Sequence, residues 1–221
     1  MKTTSRRISL PHGWRLIAAT LSLALVGGCG AIQQMASPQP NFYSLAGARN
    51  AAPSAPPRAA VTAPTLIVSP PHAAAGFDSQ RIMYVRHADQ LEYFAHNEWI
   101  DTPARMLAPL IVTAVESSEA FRAVVQTPSP AAGDMRLDTE ILRLQQEFLD
   151  TPSRVRFTLR AYLVESVTRR VIASREFEAV VPAPSEDPHG GVVAANRAVQ
   201  TVLEELSSFC AEAARSARME R

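Results

Sequence analysis

The stretch RVRFTLRAYLVESVTRRVIASREFEAVV, residues 154–181, alternates apolar and polar side chains in two successive runs. This alternation is typical of strands that lay one face on a core. We expect strands at Arg154–Glu165 and Val171–Val181, joined as a hairpin. The residues predicted to face the core are Val155, Phe157, Leu159, Ala161, Leu163, Phe177, Ala179 and Val181. Those predicted to face outward and to pair across the hairpin are Arg154, Arg156, Arg160, Glu176 and Glu178.

The segment before this hairpin is strand-like as well. In residues 136–148 the apolar phase slips between Ile141 and Leu142, which predicts a β-bulge near 141–142. Four shorter strands are predicted further upstream, at 65–69, 81–86, 91–96 and 121–126. The second and third of these form a hairpin around Ala88-Asp89-Gln90.

Two helices complete the pattern. Asp101 or Thr102 is the predicted N-cap of the first, with Pro103 in its first turn and a slight kink expected at Pro109. The second is predicted from about 191 to 214. The order β-β-β-α-β-β-β-β-α predicts an α+β fold, with a single mixed or antiparallel sheet and two helices packed on one face.

The N-terminus has the pattern of an export signal. Four basic residues precede residue 16, an apolar run covers 16–26, and Gly27-Gly28-Cys29 comes next. The apolar run is shorter than the ~20 residues of a membrane-spanning helix. The ending at Cys29 resembles the bacterial lipobox, whose cysteine is acylated and becomes the new N-terminus. By resemblance to lipoproteins of Gram-negative bacteria, Gly30 favours the outer membrane.

These features predict the organisation of the chain. Residues 1–28 are the signal peptide, and 29–64 are the lipidated cysteine and an Ala/Pro-rich tether. The tether includes a short strand at 42–45, which is able to dock on the body. Residues 65–212 are the folded domain and 213–221 a flexible tail. About 12 residues from Cys29 to the strand span at most ~40 Å, so the tether holds the domain near the bilayer.

The charge distribution excludes several classes of protein. The 22 basic and 21 acidic residues give a net charge of +1, but removing 1–28 leaves −3. A mildly acidic body gives no support to nucleic-acid binding. Lys2 is the one lysine of the sequence, so the mature chain has no P-loop lysine and no Schiff-base lysine.

No catalytic or metal-binding pattern stands out. The sequence has no CxxC, HExxH or G-x-S-x-G motif, and Ser69 lacks flanking glycines. His87 and His96 could meet Asp89 across their hairpin, but surface positions beside a turn explain them better. The acidic residues near Asp138 fit a solvated strand edge. We therefore expect no enzyme activity and no cofactor or metal.

Three single residues remain to be interpreted. Trp99 stands between the predicted hairpin and the first helix, as a core residue or as a partner-facing aromatic, and Phe94 is the second candidate partner contact. Cys210 shares a helical stripe with apolar residues, so a buried thiol is expected. If Cys29 is acylated, Cys210 has no intramolecular disulfide partner.

The chain resembles the ABC-type transport auxiliary lipoproteins, which accompany MCE-type (mammalian-cell-entry) lipid transport systems. The most specific stretch is 81–121, RIMYVRHADQLEYFAHNEWIDTPARMLAPLIVTAVESSEAF, a hairpin followed by Trp, Pro and a long helix. The lipobox at Cys29, the short Phe42-Tyr43-Ser44-Leu45, the paired strands of 136–181 and the terminal helix also fit. The long linker at 46–63 and Pro109 depart from the pattern.

The resemblance implies a non-enzymatic periplasmic lipoprotein, anchored in the outer membrane through its N-terminal lipid. Its implied partners are an MCE-domain protein with its permease and ATPase, which move phospholipids or other apolar molecules between membranes. A homo-oligomer is left open. Two further hypotheses differ in their requirements: a lipid-binding carrier needs an apolar cavity of several hundred Å³, and a lipid-anchored hydrolase needs a nucleophile–base pair. An adaptor needs neither, but it exposes an apolar or aromatic patch.

Overall fold

The computed structural model describes residues 39–46 and 62–219. Nine strands and two helices follow one another over these residues. The strands are β1 (Asn41–Tyr43), β2 (Thr65–Val68), β3 (His72–Ala73), β4 (Arg81–His87), β5 (Gln90–Trp99), β6 (Ala123–Gln126), β7 (Met135–Glu147), β8 (Arg154–Glu165) and β9 (Val171–Pro182). The helices are α1 (Pro103–Glu116), between β5 and β6, and α2 (Pro188–Met219), after β9.

All nine strands belong to one open, mixed sheet organised around β7. On one side β7 pairs antiparallel with β8, which pairs antiparallel with β9. Along its other side β7 pairs in parallel with β2, β3 and β4 in turn. The sheet continues through the β4–β5 hairpin to β1, and through β2 to β6. The predicted α+β class with a single mixed sheet is confirmed.

The long hairpin forms where the alternating pattern predicts it. Strand β8 has the predicted bounds, and Phe157, Leu159 and Ala161 are fully buried. The register of the β7–β8 pair shifts between Ile141 and Arg143, which confirms the predicted bulge. The shift moves the buried positions from the odd-numbered residues before Ile141 to the even-numbered residues Leu144 and Gln146.

Both helices pack on the core side of the sheet, and they contact each other. The Ser207 hydroxyl of α2 donates a hydrogen bond to the Ala114 carbonyl of α1, at 2.7 Å. The rings of Phe177 and Phe209 meet edge to face at 5.6 Å. Side chains without exposed surface that fill this layer include Leu107, Ile111, Phe157, Leu159, Val199, Val202 and Leu206. Helix α1 has Thr102 as its N-cap and continues through Pro109.

The bounds of α2 differ from those predicted. The helix begins at Pro188 rather than at 191, because Asp187 accepts a hydrogen bond from the Gly190 amide, at 2.7 Å. It continues to Met219, so the expected flexible tail at 213–221 is helical as far as that residue. Ala211 and Ala214 are buried, and Ala217 packs against the core, which extends the helix beyond its predicted end.

Two short segments also depart from the prediction. The pair His72–Ala73 forms β3, which has too few residues to show any alternation. Strand β6 begins at Ala123 rather than at 121, and the Phe121 side chain is buried outside the strand.

Arginine and glutamate side chains pair across the outer face of β7, β8 and β9. The Arg156 guanidinium donates to Glu147 at 2.9 Å and to Glu178 at 2.7 Å, while Arg160 donates to Glu176 at 3.1 Å. These contacts confirm the predicted pairing for Arg156 and Arg160, whereas Arg154 pairs with Asp150 at 3.5 Å. Burial alone would raise the pKa of Glu147, but the hydrogen bond from Arg156 and its positive charge outweigh burial and hold that pKa below its ordinary value.

Replacing Arg156 tests how much these ion pairs contribute to the free energy of unfolding. We expect Arg156→Gln to lower the free energy of unfolding by about 1–2 kcal/mol at neutral pH, because Glu147 is half-buried and loses its charged partner. The more exposed Arg160→Gln should lower it by a smaller amount, because solvent screens this pair.

Chemical denaturation of the two variants measures this difference. The lowered pKa of Glu147 means that its ion pair stabilises the fold above the ordinary glutamate pKa and is lost as the pH falls through the folded-state pKa. The effect of Arg156→Gln should therefore shrink in acid. Equal effects of both substitutions at all pH values would contradict a special role for the Arg156–Glu147 pair.

Candidate functional site

Trp99 is a core residue in this structure. Its side chain is 3% exposed, its amide donates to the Gln80 carbonyl at 2.7 Å, and it pairs with Tyr43 of β1. It lines a small gap between sheet and helix together with Ile82 and Gln146. A direct contact between Trp99 and a partner would require the domain to open.

Phe94 belongs to a half-buried aromatic cluster on β4, β5 and the end of β7. Its ring lies 4.4 Å from that of Tyr84 and 6.4 Å from that of Phe148. Burial and a hydrogen bond to Glu92 raise the pKa of Tyr84, and the Arg86 ion pair lowers the pKa of Glu92. Phe94 therefore stabilises the hairpin, and its role as a partner contact stays a prediction.

Four large apolar side chains from β1, β5 and the residue after β5 are exposed on the opposite face of the sheet, and we call them the outer strip. They are Phe42, Leu91, Tyr93 and Ile100, with exposed fractions of 58%, 42%, 47% and 61%. Tyr43 and Trp99 are register partners that pack on the core side. Phe42, one residue before Tyr43, and Ile100, one residue after Trp99, therefore lie on the opposite face.

The register of the β4–β5 hairpin places the rest of the outer strip on that face. Tyr93 pairs with Met83 and Leu91 with Val85, two alternate positions of β4 that follow Arg81. The Arg81 guanidinium lies 4.1 Å from the centroid of the Tyr93 ring, a cation–π contact. The outer strip therefore presents apolar and aromatic groups beside Arg81 and the half-buried Glu98, which is the register partner of both Phe42 and Arg81.

Phe42, the first residue of the outer strip, lies in a segment that contacts both β5 and α2. Strand β1 pairs in parallel with β5, and the Leu45 side chain two residues beyond it is buried. The Ala46 amide donates to the Asn196 side chain of α2 at 2.7 Å, and the Asn196 amide donates back to the Ser44 carbonyl at 3.4 Å. We call residues 41–46 the strap.

Among the residues considered as catalytic candidates, Ser69 and Asp138 contact each other. Ser69 donates to Asp138 at 2.6 Å, and the carboxylate of Asp138 also accepts from Arg136, so an arginine holds the carboxylate that this serine contacts. Among the residues that the structure describes, no group of three or more His, Cys, Asp or Glu side chains is arranged to hold a metal ion.

Two spaces in the part of the chain that the structure describes differ in size and enclosure. The gap beneath Trp99 has a volume of about 10 Å³, no more than one water molecule needs. A depression of about 490 Å³ at the end of α2 is shallow and open to solvent, and Glu212, Arg215, Ser216 and Met219 line it.

Cys210 is buried as expected, and burial raises the pKa of its thiol to about 12.

Cys29 lies outside the described residues, and so do the predicted signal peptide and most of the Ala/Pro-rich linker. Within 39–46 and 62–219, neither helix combines the length and the apolar character that crossing a bilayer requires. The prediction of an acylated Cys29 therefore rests on its sequence pattern.

Sequence reasoning missed the outer strip. Strand β5 contains an irregularity, because Arg81 pairs with Glu98 whereas Met83 pairs with Tyr93. Regular alternation would place Tyr93 and Ile100, which are seven residues apart, on opposite faces, and this shift brings them onto one face. The short Phe42-Tyr43 pattern was a usable signal, since the exposure of Phe42 is a direct consequence of the packing of Tyr43 against the core.

Comparison with known proteins gives a family and a fold. A family model described as the ABC-type transport auxiliary lipoprotein component matches residues 43–207. No curated protein matches the chain.

Two solved structures share the fold. Protein XCC0632 from Xanthomonas campestris, described as a DUF330 family member, is 24% identical, with a TM-score of 0.66 over 83% of this chain and 95% of that one. A second structure, of an uncharacterized protein, is 12% identical, with a TM-score of 0.61 over 78% of this chain and 99% of that one.

Proposed function

Because the chain belongs to the ABC-type transport auxiliary lipoprotein family, we propose that it is the outer-membrane-anchored adaptor of an MCE-type transport system. In this role it binds an MCE-domain protein whose permease and ATPase are separate chains. The system moves phospholipids or other apolar molecules between the two membranes, and this chain performs no chemistry.

The observation that carries the proposal is the filled layer between the sheet and the helices. A lipid carrier of this fold would hold its acyl chains there, where Phe157, Val199 and Leu206 have no exposed surface. The gap beneath Trp99, at about 10 Å³, is far below the several hundred Å³ of a ligand pocket. The interior therefore favours an adaptor over a carrier.

The anchoring part of the proposal rests on Cys29 and on the strap. Acylation of Cys29 would hold the domain at a membrane, because several buried acyl chains bind far more strongly than one. The strap then attaches the end of the tether to both β5 and α2. A domain fastened in this way is suited to present a fixed surface to a partner.

Affinity purification of the acylated chain from native membranes tests the proposal. We expect recovery of an MCE-domain protein with its permease and ATPase, identified by mass spectrometry, and no stoichiometric lipid on the chain beyond its own acyl groups. The matched control is the same chain with Cys29→Ser, which keeps the folded body and should recover these partners in much lower yield.

The opposite result would favour the carrier. Lipid that stays on the purified chain in stoichiometric amount, with no transporter subunit recovered, would overturn the adaptor function. It would also require that the layer containing Phe157 and Leu206 opens to admit an acyl chain.

A further inference from the structure

We propose that the outer strip, Phe42, Leu91, Tyr93 and Ile100, rests on the interfacial region of the phospholipid bilayer that holds the acyl anchor. This inference rests on the proposed acylation of Cys29. It goes beyond anchoring, because it states which face of the domain lies on the membrane.

The chemistry of the outer strip fits the boundary between headgroups and acyl chains. Phe42 and Ile100 are more than half exposed, although both are apolar. Tyr93 combines an apolar ring with a hydroxyl, the character that places tyrosine at membrane–water boundaries. Arg81, held on the Tyr93 ring, is positioned to contact lipid phosphates.

The position of the tether supplies the geometric argument. The ten residues from Cys29 to Pro38 precede the described chain, and at 3.3–3.6 Å per residue they reach at most about 35 Å. Phe42 lies three positions after Gln39, so the outer strip is the exposed apolar surface next to the point where the tether joins the body.

A second copy of the chain is a weaker candidate for this face. Large apolar side chains offer roughly 150–250 Å² each, so four that are about half exposed present on the order of 400 Å². A stable protein interface buries about 800 Å² on each partner. A bilayer needs no such minimum, because the acyl anchor already holds the domain at its surface.

The β8–β9 turn provides a matched control position. Val167 in this turn is 89% exposed, and the Ser166 amide donates to the Asp134 carbonyl beside the start of β7. Leu91 pairs with Val85, which lies beside Glu147 at the other end of β7. Along β7, Val167 lies about 40 Å from Leu91, whereas Ile100, two residues after the Glu98 that pairs with Arg81, lies about 25 Å from Val167.

The test uses the acylated full chain in vesicles of phosphatidylethanolamine and phosphatidylglycerol. A nitrobenzoxadiazole label is attached in an Ile100→Cys variant and, separately, in a Val167→Cys variant, while buried Cys210 stays unlabelled. Lipids with a nitroxide near the headgroup quench a label at the interface. We expect quenching at position 100 to exceed that at position 167 at least threefold.

A second variant tests whether quenching at position 100 depends on the outer strip itself or only on the acyl anchor that holds the domain near the bilayer. Adding Phe42→Glu and Tyr93→Glu to the Ile100→Cys chain should reduce its quenching to the level of the Val167→Cys chain, with acylation unchanged. Equal quenching at positions 100 and 167 of an acylated chain would overturn this inference and leave the proposed function intact. A disulfide between two unlabelled Ile100→Cys chains, formed on mild oxidation, would likewise overturn it. A chain whose mass shows no acyl group at Cys29 would overturn both proposals.

Discussion

Phe157→Ala is expected to lower the free energy of unfolding by about 3–5 kcal/mol. Phe157 has no exposed surface and sits in the middle of β8, with strands paired on both sides and α2 above it. The substitution removes the burial of an aromatic ring and leaves a cavity that paired strands cannot close. Urea denaturation, followed through the fluorescence of buried Trp99, measures the change.

The matched control for Phe157→Ala is Tyr162→Ala, on the same strand but on the outer face. Tyr162 is 36% exposed, so its loss should cost under ~1 kcal/mol. The slope of unfolding free energy against urea should stay the same in both variants. Similar costs at the two positions would contradict the assignment of the helix-covered face as the core.

Cys29→Ser is expected to move the chain from the membrane fraction to the soluble fraction almost completely. The reason is that the acyl groups on this residue are the proposed anchor. Fractionation, with metabolic labelling by a tagged fatty acid, measures both location and acylation. Loss of the fatty-acid label and loss of membrane attachment should occur together.

Cys210→Ala serves as the control for Cys29→Ser. Cys210 is buried and its thiol pKa is raised to about 12, so it is a poor acceptor, and its loss should leave the fatty-acid label in place. Equal membrane attachment with and without Cys29 would refute the lipoprotein assignment of this residue.

The parts of the fold that sequence predicts best are those stabilised by side-chain alternation. In β8 and β9 inward residues such as Phe157 meet the core and outward arginines such as Arg156 meet a glutamate, so local pattern and final environment agree. The bulge near Ile141 was predictable for the same reason, since a change of phase along a strand has few other causes.

Long-range contacts decide the parts that sequence did not reveal. The start of α2 is an example, because two consecutive glycines resemble a helix break. A Cβ at Gly190 would lie 2.2 Å from the Ser185 carbonyl, and one at Gly191 would lie 2.2 Å from the Gln146 side chain. Close packing therefore requires glycine inside the helix, and no local pattern carries that information.

The same contrast between local pattern and long-range contacts applies to the residues of the candidate site. The choice between core and partner contact for Trp99 depends on whether β1 covers it, which only the pairing of Tyr43 with Trp99 settles. The outer strip combines residues from β1, β5 and the segment after β5. Its members become neighbours through strand pairing, so their separation in sequence conceals them.

The docking of the strap also changes the meaning of the Ala/Pro-rich linker. The compact unit begins at Gln39, before the linker, so residues 47–61 form an insertion inside the domain rather than a spacer ahead of it. On the proposed anchoring, lengthening this insertion would leave the height of the domain above the membrane unchanged. The short segment between Cys29 and the strap gives only an upper limit to that height, about 35 Å for ten residues.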